Sequence, residues 1–256
     1  MDETAPADDL LGLMAHPAAT LLAAQKVYAD QVREKTKAAY GKLRDAHWLV
    51  CGVLGGVLLR TNGKITEFGI TNDERRVLFA SFVIGMTLCE RAIEEGRYLQ
   101  AMALLRQEME TVAQIVASHT GRKVPLKQAT VAVLGKDIAR LYGGLSAAAH
   151  VSDHDMALGM MTQTMDGNGL PGPTQITRFY PSFDSEMARR SFALHLLLMA
   201  RLIEQMSIDY QIAHPDDGFG ADDQKAVDAA LDLMKVEGMI ESTPAPPDAA
   251  SQMGSD

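Results

Sequence analysis

The sequence predicts an all-α protein, a bundle of five to six helices that begins with a long N-terminal helix. Apolar side chains recur at the helical period of about 3.6 residues, and glycines separate the periodic segments. A chain of 256 residues with 47% hydrophobic side chains is also long enough to bury one sizeable core. With 22% charged residues, this composition excludes wholesale disorder, a fibre and a disulfide-stapled mini-protein.

The first predicted helix is long because no proline follows Pro17 until well beyond Gly63, and one apolar stripe runs opposite a charged side. The stripe consists of Leu21, Tyr28, Val32, Ala39, Leu43, Ala46 and Val50. This spacing predicts one amphipathic helix, with Gly41 and the Gly55-Gly56 pair as points where it can bend. Pro17 suits the first turn of a helix, so residues 1–16 are predicted to be a disordered acidic N-terminus.

Three further helices are predicted over residues 71–94, 97–118 and 125–150, where apolar residues again recur at helical spacing. Glu95-Gly96 predicts a tight antiparallel turn between the second helix and the third, because Gly readily ends a helix. These helices and the first one account for most of the predicted bundle.

The region at about 156–181 departs from the helical pattern. Short runs of Thr, Met, Ile and aromatic residues flank a segment rich in Gly and Pro, which predicts a small β-hairpin or flap insertion. A fifth helix, from about Asp184 to Ile212, is apolar on most sides. It is therefore predicted to lie in the middle of the bundle.

These elements predict one domain with flanking segments. Residues 17–213 form the single helical-bundle domain, and residues 214–241 form a short acidic helical extension that contains a sixth helix over residues 222–237. Residues 242–256 contain three prolines and few apolar residues, and they are predicted to be a disordered tail.

The formal net charge of −9 is concentrated at the two ends of the chain. Because residues 1–9 carry −4 and residues 214–256 carry −8, the remaining residues 10–213 carry +3. A mildly basic body is compatible with a phosphate-bearing partner. The acidic C-terminal segment is a candidate competitor that folds back over a basic face of the body.

The sequence favours a cytoplasmic location without a membrane partner. The acidic start has neither a basic segment nor the apolar run of a secretory signal. The longest apolar runs, Trp48 to Leu59 and Val77 to Cys89, have twelve and thirteen residues, fewer than the roughly 18–20 that span a bilayer. Each run contains one of the two cysteines, which are predicted to be free thiols that behave as small hydrophobic residues.

The third helix contains an arginine and a glutamate four residues apart, Arg106 and Glu110, which therefore share a face beside the apolar side of the helix. One interpretation is a partly buried ion pair that fixes the register of the helix. The alternative is a site that presents Arg106 to a phosphate or a carboxylate.

The fourth helix carries a stripe of small and polar residues on one side. The stripe consists of Lys136, Ala139, Gly143, Ser146 and His150. A small-residue stripe is typical of a close crossing of two helices. The alternative is a groove with Gly143 and Ser146 on its floor and His150 at its end as a general acid or base.

The phrase Tyr142-Gly-Gly-Leu-Ser146-Ala-Ala-Ala-His150, with Leu105-Arg106-x-x-x-Glu110 upstream, resembles a family of uncharacterised bacterial all-helical proteins. That family is similar to the broader HEPN group, whose members form helical bundles and often dimerise. Active members of the group cut RNA without a metal, through an Arg and a His about two turns apart. The resemblance covers about residues 73–210.

The resemblance implies that His150 is the catalytic histidine. The usual arginine position, seven residues earlier, is occupied by Gly143, so the sequence leaves open whether the protein is an enzyme. Arg140 lies about 15 Å from His150 along the same helix and cannot replace this arginine there, whereas Arg106 from the neighbouring helix or an arginine of a second subunit can. In a site across a two-fold axis, His150 and its symmetry mate are expected as base and acid, with Arg140 or Arg106 holding the phosphate. If it is an enzyme, the resemblance implies a metal-independent ribonuclease.

Four further residues are expected to support the site: Tyr142, Ser146, Glu110 and Asp153. Asp153 is placed either to orient His150 or to begin the hairpin. His150, Asp153, His154 and Asp155 are residue types that ligate metals, but they do not form a recognised metal motif. No metal and no cofactor are predicted, and His47 and His195 are interpreted as core or boundary histidines.

Two functions of different classes follow from these observations. The first is a HEPN-like helical protein, a homodimer, that binds or cleaves RNA in a toxin or phage-defence role that the resemblance implies. The alternative is a catalytically inactive module for protein interaction or dimerisation. A small-ligand pocket near Met102, Met109 and His150 is a third possibility.

Overall fold

The computed structural model describes residues 5–64, 70–122, 127, 129–150, 152–165 and 174–240. Within these residues the chain forms eight α-helices and one antiparallel pair of strands. In chain order they are α1 Ala5–Ala39, α2 Leu43–Thr61, α3 Ile70–Glu94, α4 Tyr98–His119, α5 Lys136–Ala149, α6 His154–Met161, β1 Thr162–Met165, β2 Thr174–Thr177, α7 Ser185–Ala213 and α8 Ala221–Val236. The predicted all-α class is confirmed, but the helix count is higher than the predicted five to six.

The predicted long first helix is divided into α1 and α2 at Gly41. This residue has a φ of +54°, a left-handed conformation that ends α1 after Ala39. The break is held by the next residue, Lys42, whose backbone N–H donates to the Glu237 Oε1 atom at 2.8 Å. Of the two predicted bends, the structure makes Gly41 a break and leaves the Gly55-Gly56 pair inside α2.

The prediction of a disordered N-terminus over residues 1–16 is corrected by α1, which includes residues 5–16 and has Pro17 in its interior. The segment from Leu10 onward is rich in Ala and Leu, which are strong helix formers. Residues 1–4 lie outside the described part of the chain.

The fourth predicted helix is shorter than expected. Gly135 has a φ of +99° and separates a single 3-10 turn, Val131–Leu134, from α5. The left-handed conformation at Gly135 interrupts the run of helical hydrogen bonds, so α5 begins at Lys136 and not near Pro125.

Helix α7 lies in the centre of the bundle, as its apolar pattern predicted, and packs against α2, α3 and α4. Its fully buried residues include Leu196, Leu198, Met199, Leu202 and Met206. Among the described helices, α7 alone is long and apolar enough to cross a membrane, but 61% of its apolar window is buried inside the bundle. The core helix of a soluble protein has the same property.

Helix α8 belongs to the bundle and corrects the prediction of a separate extension over residues 214–241. It packs along α2 with Val227, Ala230 and Met234 buried in the same core. At its start, Arg60 of α2 donates to the Asp223 carboxylate at 2.5 Å. The acidic segment therefore lies against a basic residue, as the charge pattern suggested, while its apolar side chains belong to the core. Residues 241–256, which include the predicted tail, lie outside the described residues.

The predicted hairpin or flap at 156–181 is smaller than expected. Residues 156–161 belong to α6, and the paired strands are β1 and β2, with Thr162 opposite Thr177 and Met165 opposite Thr174. Residues 166–173 lie outside the described residues.

Two glycines that end helices provide a matched test of backbone packing. Gly96 and Gly121 have φ of +71° and +66°, and each is followed by a residue whose N–H bonds back to the helix. A Cβ at Gly96 would overlap the Ser182 carbonyl and lie 2.8 Å from Val32 Cγ1, whereas at Gly121 it would meet nothing within 4 Å.

We therefore expect Gly96→Ala to lower the free energy of unfolding by about 2 kcal/mol more than Gly121→Ala. Both substitutions carry the strain of a left-handed alanine, about 1–2 kcal/mol, and only the first adds overpacking. Urea denaturation of the two variants measures the difference. Equal losses would show that the chain around Ser182 moves aside without resistance.

Candidate functional site

The candidate site is formed where α4 packs against α5. On α4, the Arg106 Nε donates to Glu110 Oε1 at 2.8 Å, and both side chains are 22% exposed. The predicted partly buried ion pair is thus confirmed. It places the guanidinium at the edge of the core with one face toward solvent.

Helix α5 adds a tyrosine to this pair. The Tyr142 hydroxyl donates to the same Glu110 Oε1 at 2.5 Å, and the Arg106 guanidinium lies 5.5 Å from the centre of the Tyr142 ring. The hydrogen bond to Glu110 and burial raise the pKa of Tyr142, so its hydroxyl stays protonated and remains a donor at neutral pH. Glu110 therefore joins the two helices and orients Arg106.

His150 completes the group, at the C-terminal end of α5. Its Nε2 lies 2.7 Å from Arg106 Nη1, although the two residues are 44 positions apart in the sequence. A guanidinium only donates hydrogen bonds, so this contact requires an unprotonated Nε2 on His150. His150 is exposed at the surface. The four residues Arg106, Glu110, Tyr142 and His150 are called the Arg-His cluster below.

Arg140 does not join the Arg-His cluster within one chain, as its distance along the helix predicted, and its contribution from a second subunit stays a prediction. Its guanidinium donates to Asp137 Oδ1 at 2.9 Å, and both side chains are largely exposed. Ten residues of helix separate Arg140 from His150, which corresponds to about 15 Å along the axis. Arg140 instead lies in the wall of a groove of about 1430 Å³ between α5, α7 and α8.

The stripe of small residues on α5 does not form a close helix crossing. Gly143 is exposed, and a Cβ built on it would meet nothing within 4 Å. Ser146 is half-buried, and its hydroxyl makes no hydrogen bond within the described part of the chain. The open face next to His150 agrees with the alternative prediction, although neither main cavity of the described residues is lined by Arg106 or His150.

Asp153 has a structural role that differs from the predicted one. Its carboxylate accepts the Met156 backbone N–H at 2.9 Å and caps the start of α6. Asp153 therefore caps a helix, and it neither orients His150 nor begins the hairpin. The expected pocket near Met102 and Met109 is also not among the main cavities, since Met109 is fully buried.

A second group of metal-ligating side chains, which the sequence pattern did not predict, lies in the bundle interior. Cys89, Glu108 and His195 converge there from three helices, and His47, Cys51 and Glu90 converge beside them. Two local signals pointed to this group: Cys89 and Glu90 are adjacent, and His47 and Cys51 are four residues apart in one helix. The other members come from distant parts of the chain.

No protein-family model, curated protein or solved structure matches the chain.

Proposed function

We propose that the chain is a cytoplasmic, HEPN-like helical protein that binds and cleaves RNA at the Arg-His cluster, in a toxin or phage-defence role. The single observation that supports this function most strongly is the 2.7 Å contact between Arg106 and His150 on the exposed side of α4 and α5. In this proposal Arg106 replaces the arginine that the resemblance places at Gly143.

Cleavage of RNA without a metal requires a base and a cation at the same phosphate. When RNA binds in this proposal, Arg106 Nη1 moves from His150 Nε2 to a phosphate oxygen. The freed Nε2 accepts the proton of the 2′-hydroxyl, and the 2′-oxygen then attacks the phosphorus. The bond from phosphorus to the 5′-oxygen breaks, which leaves a 2′,3′-cyclic phosphate. The leaving 5′-oxygen takes its proton from the protonated His150 of a second copy of the chain, so the active form in this proposal is a homodimer.

Arg106 stabilises the negative charge that develops on the phosphate oxygens. A guanidinium has five N–H donors, so its contacts with Glu110 and His150 leave donors for phosphate. Glu110 and Tyr142 act as positioning residues in this scheme, because they contact Arg106 and no substrate atom.

The test uses the pure, untagged chain with a labelled single-stranded RNA in the presence of EDTA. We expect cleavage by the wild type, and at least a 100-fold loss of rate for His150→Ala and for Arg106→Gln. Arg140→Ala is the matched control, because it removes an exposed arginine of α5 outside the cluster, and we expect it to retain its rate. A substrate with a 2′-deoxy nucleotide at the cleavage site should resist cleavage.

Two results would contradict the ribonuclease proposal. One is uncut RNA under conditions in which a positive-control nuclease is active. The other is an equal loss of rate for Arg140→Ala and Arg106→Gln, which would show that the Arg-His cluster has no special part in the reaction.

A second candidate function, an inactive module for dimerisation, is favoured by the first half of α1. Four leucines are each more than half exposed there: Leu10, Leu11, Leu13 and Leu22. Apolar side chains exposed together on one helical segment are typical of a surface that contacts another protein. A wild-type chain that sediments as a dimer and neither binds nor cuts RNA would support this second function and not the first.

A further inference from the structure

The interior of the bundle contains a thiol, a carboxylate and an imidazole in mutual contact. Cys89 lies on α3, Glu108 on α4 and His195 on α7, and the three residues are 1%, 6% and 0% exposed. Their potential ligand atoms all lie within 4.8 Å of one another. Three helices therefore bring three different metal-ligating groups to one point in the core.

One atom of this group lacks the partner that buried polar atoms normally have. His195 Nδ1 lies 2.8 Å from Glu108 Oε2, but the second carboxylate oxygen, Glu108 Oε1, has no hydrogen-bond partner among the described residues. A buried carboxylate oxygen left without a donor is destabilising. This oxygen indicates that Cys89, Glu108 and His195 can together bind an additional, positively charged partner.

The other ring nitrogen of His195 points to a carboxylate. Its Nε2 lies 3.4 Å from Glu90 Oε1, and the same oxygen lies 2.8 Å from His47 Nε2. Histidines that ligate metals usually donate their second N–H to a carboxylate in this way, which fixes the tautomer and the ring orientation. Glu90 and His47 thus provide the outer interactions that a metal site on His195 Nδ1 requires.

We propose that Cys89, Glu108 and His195 are the protein ligands of one thiophilic divalent cation of the Zn²⁺ class. A set of one S, one O and one N ligand suits zinc, whereas Mg²⁺ and Ca²⁺ prefer oxygen ligands alone. Three protein ligands leave a fourth tetrahedral position for a water molecule. This site is independent of the Arg-His cluster and goes beyond the prediction from the sequence, which named no metal site.

The charges balance in the metal-bound form. A divalent cation is neutralised by the Cys89 thiolate and the Glu108 carboxylate, while Glu90 is paired with a protonated His47. Without metal, contact with Glu108 and its neighbours outweighs burial and raises the pKa of His195 well above its usual value. Burial raises the pKa of Cys89 to about 11. A metal ligand must be deprotonated, so binding releases the proton of the Cys89 thiol to the solvent.

The test uses the full untagged chain, refolded in the presence of zinc because the site is buried, with free zinc then buffered by a chromophoric chelator. We expect one Zn²⁺ per chain in the wild type, and a dissociation constant at least about 100-fold higher for Cys89→Ser. Cys51→Ser is the matched control, because it removes the other cysteine, which contacts His47 at 3.2 Å and none of the three proposed ligands. We expect it to weaken binding by no more than about 10-fold. Glu90→Gln should weaken binding by about 10-fold to 100-fold, as loss of an outer partner does.

A spectroscopic measurement keeps the proposal testable if Cys89→Ser does not fold. Since the chain has two cysteines, a Cys51→Ser chain retains Cys89 alone. A thiolate-to-cobalt charge-transfer band in that variant with Co²⁺ would identify Cys89 as a ligand. Absence of the band, no zinc binding by the wild type, or loss of zinc in Cys51→Ser but not in Cys89→Ser would overturn the proposal.

Discussion

Asp209→Ala is expected to lower the free energy of unfolding by about 3–5 kcal/mol, because it removes the buried carboxylate that pairs with the Arg75 guanidinium. The two side chains are 2% and 8% exposed and form a two-pronged pair between α3 and α7. Arg75 Nε donates to Oδ2 at 2.8 Å and Nη2 donates to Oδ1 at 2.7 Å. Few arginines of the described chain are so completely removed from water.

The pair of Arg75 and Asp209 also makes the free energy of unfolding depend on pH. Burial raises the pKa of Asp209, but hydrogen bonds from Arg75 and His119 lower it by more than burial raises it. The folded-state pKa therefore lies below the ordinary value of 3.8. Because the pKa of Asp209 is lowered on folding, its ionised form stabilises the folded state above pH 3.8. This stabilisation is lost as the pH falls through the folded-state pKa. We expect Asp209→Ala to lose this part of the acid sensitivity.

The control for Asp209→Ala is Glu204→Ala on the same helix. Glu204 pairs with Arg201 at 2.7 Å, but both side chains are about half exposed, so we expect a change within about 0.5 kcal/mol. A double variant with apolar replacements, Arg75→Met with Asp209→Leu, should recover most of the stability. Equal effects of Asp209→Ala and Glu204→Ala in urea denaturation would contradict the interpretation.

Met234→Ala is expected to destabilise the protein by about 2–5 kcal/mol, because it leaves a cavity between α8 and α2. Met234 is 1% exposed, and it lies in the same core as Leu54 of α2. If the short acidic helical extension predicted from the sequence lay outside the core, truncation of Met234 would have little effect. Denaturant unfolding, followed by circular dichroism, measures the difference.

Val236→Ala on the same helix is the matched control for Met234→Ala. Val236 is 77% exposed, so we expect its truncation to change the free energy of unfolding by no more than about 0.5 kcal/mol. A similar small effect for both variants would show that α8 does not contribute to the core.

The ends of several helices were predictable from the sequence because local signals determine them. The predicted segments at residues 97–118 and 222–237 agree within one residue with α4 and α8. Glycine at the end of a periodic segment is a local signal, and Gly96 ends α3 as expected. The break at Gly41 was less predictable, since the apolar stripe continues across it and a positive φ leaves no mark in the pattern.

Half of the Arg-His cluster was likewise predictable. Arg106 and Glu110 are four residues apart in one helix, so their contact follows from helical geometry alone. The contact of Arg106 with His150 joins two helices across 44 positions, and the sequence left an arginine of a second subunit as the alternative. Only the packing of α4 against α5 brings Arg106 into contact with His150.

The sequence by itself determined the all-helical class, the central place of α7 and the local ion pair, because these depend on periodicity and on neighbours within a few residues. The tertiary structure alone decided that α8 completes the core and that Cys89, Glu108 and His195 meet. A helical pattern shows which residues face inward. Which inward residues touch depends on the positions and crossings of the helices, which follow from the packing of the whole core.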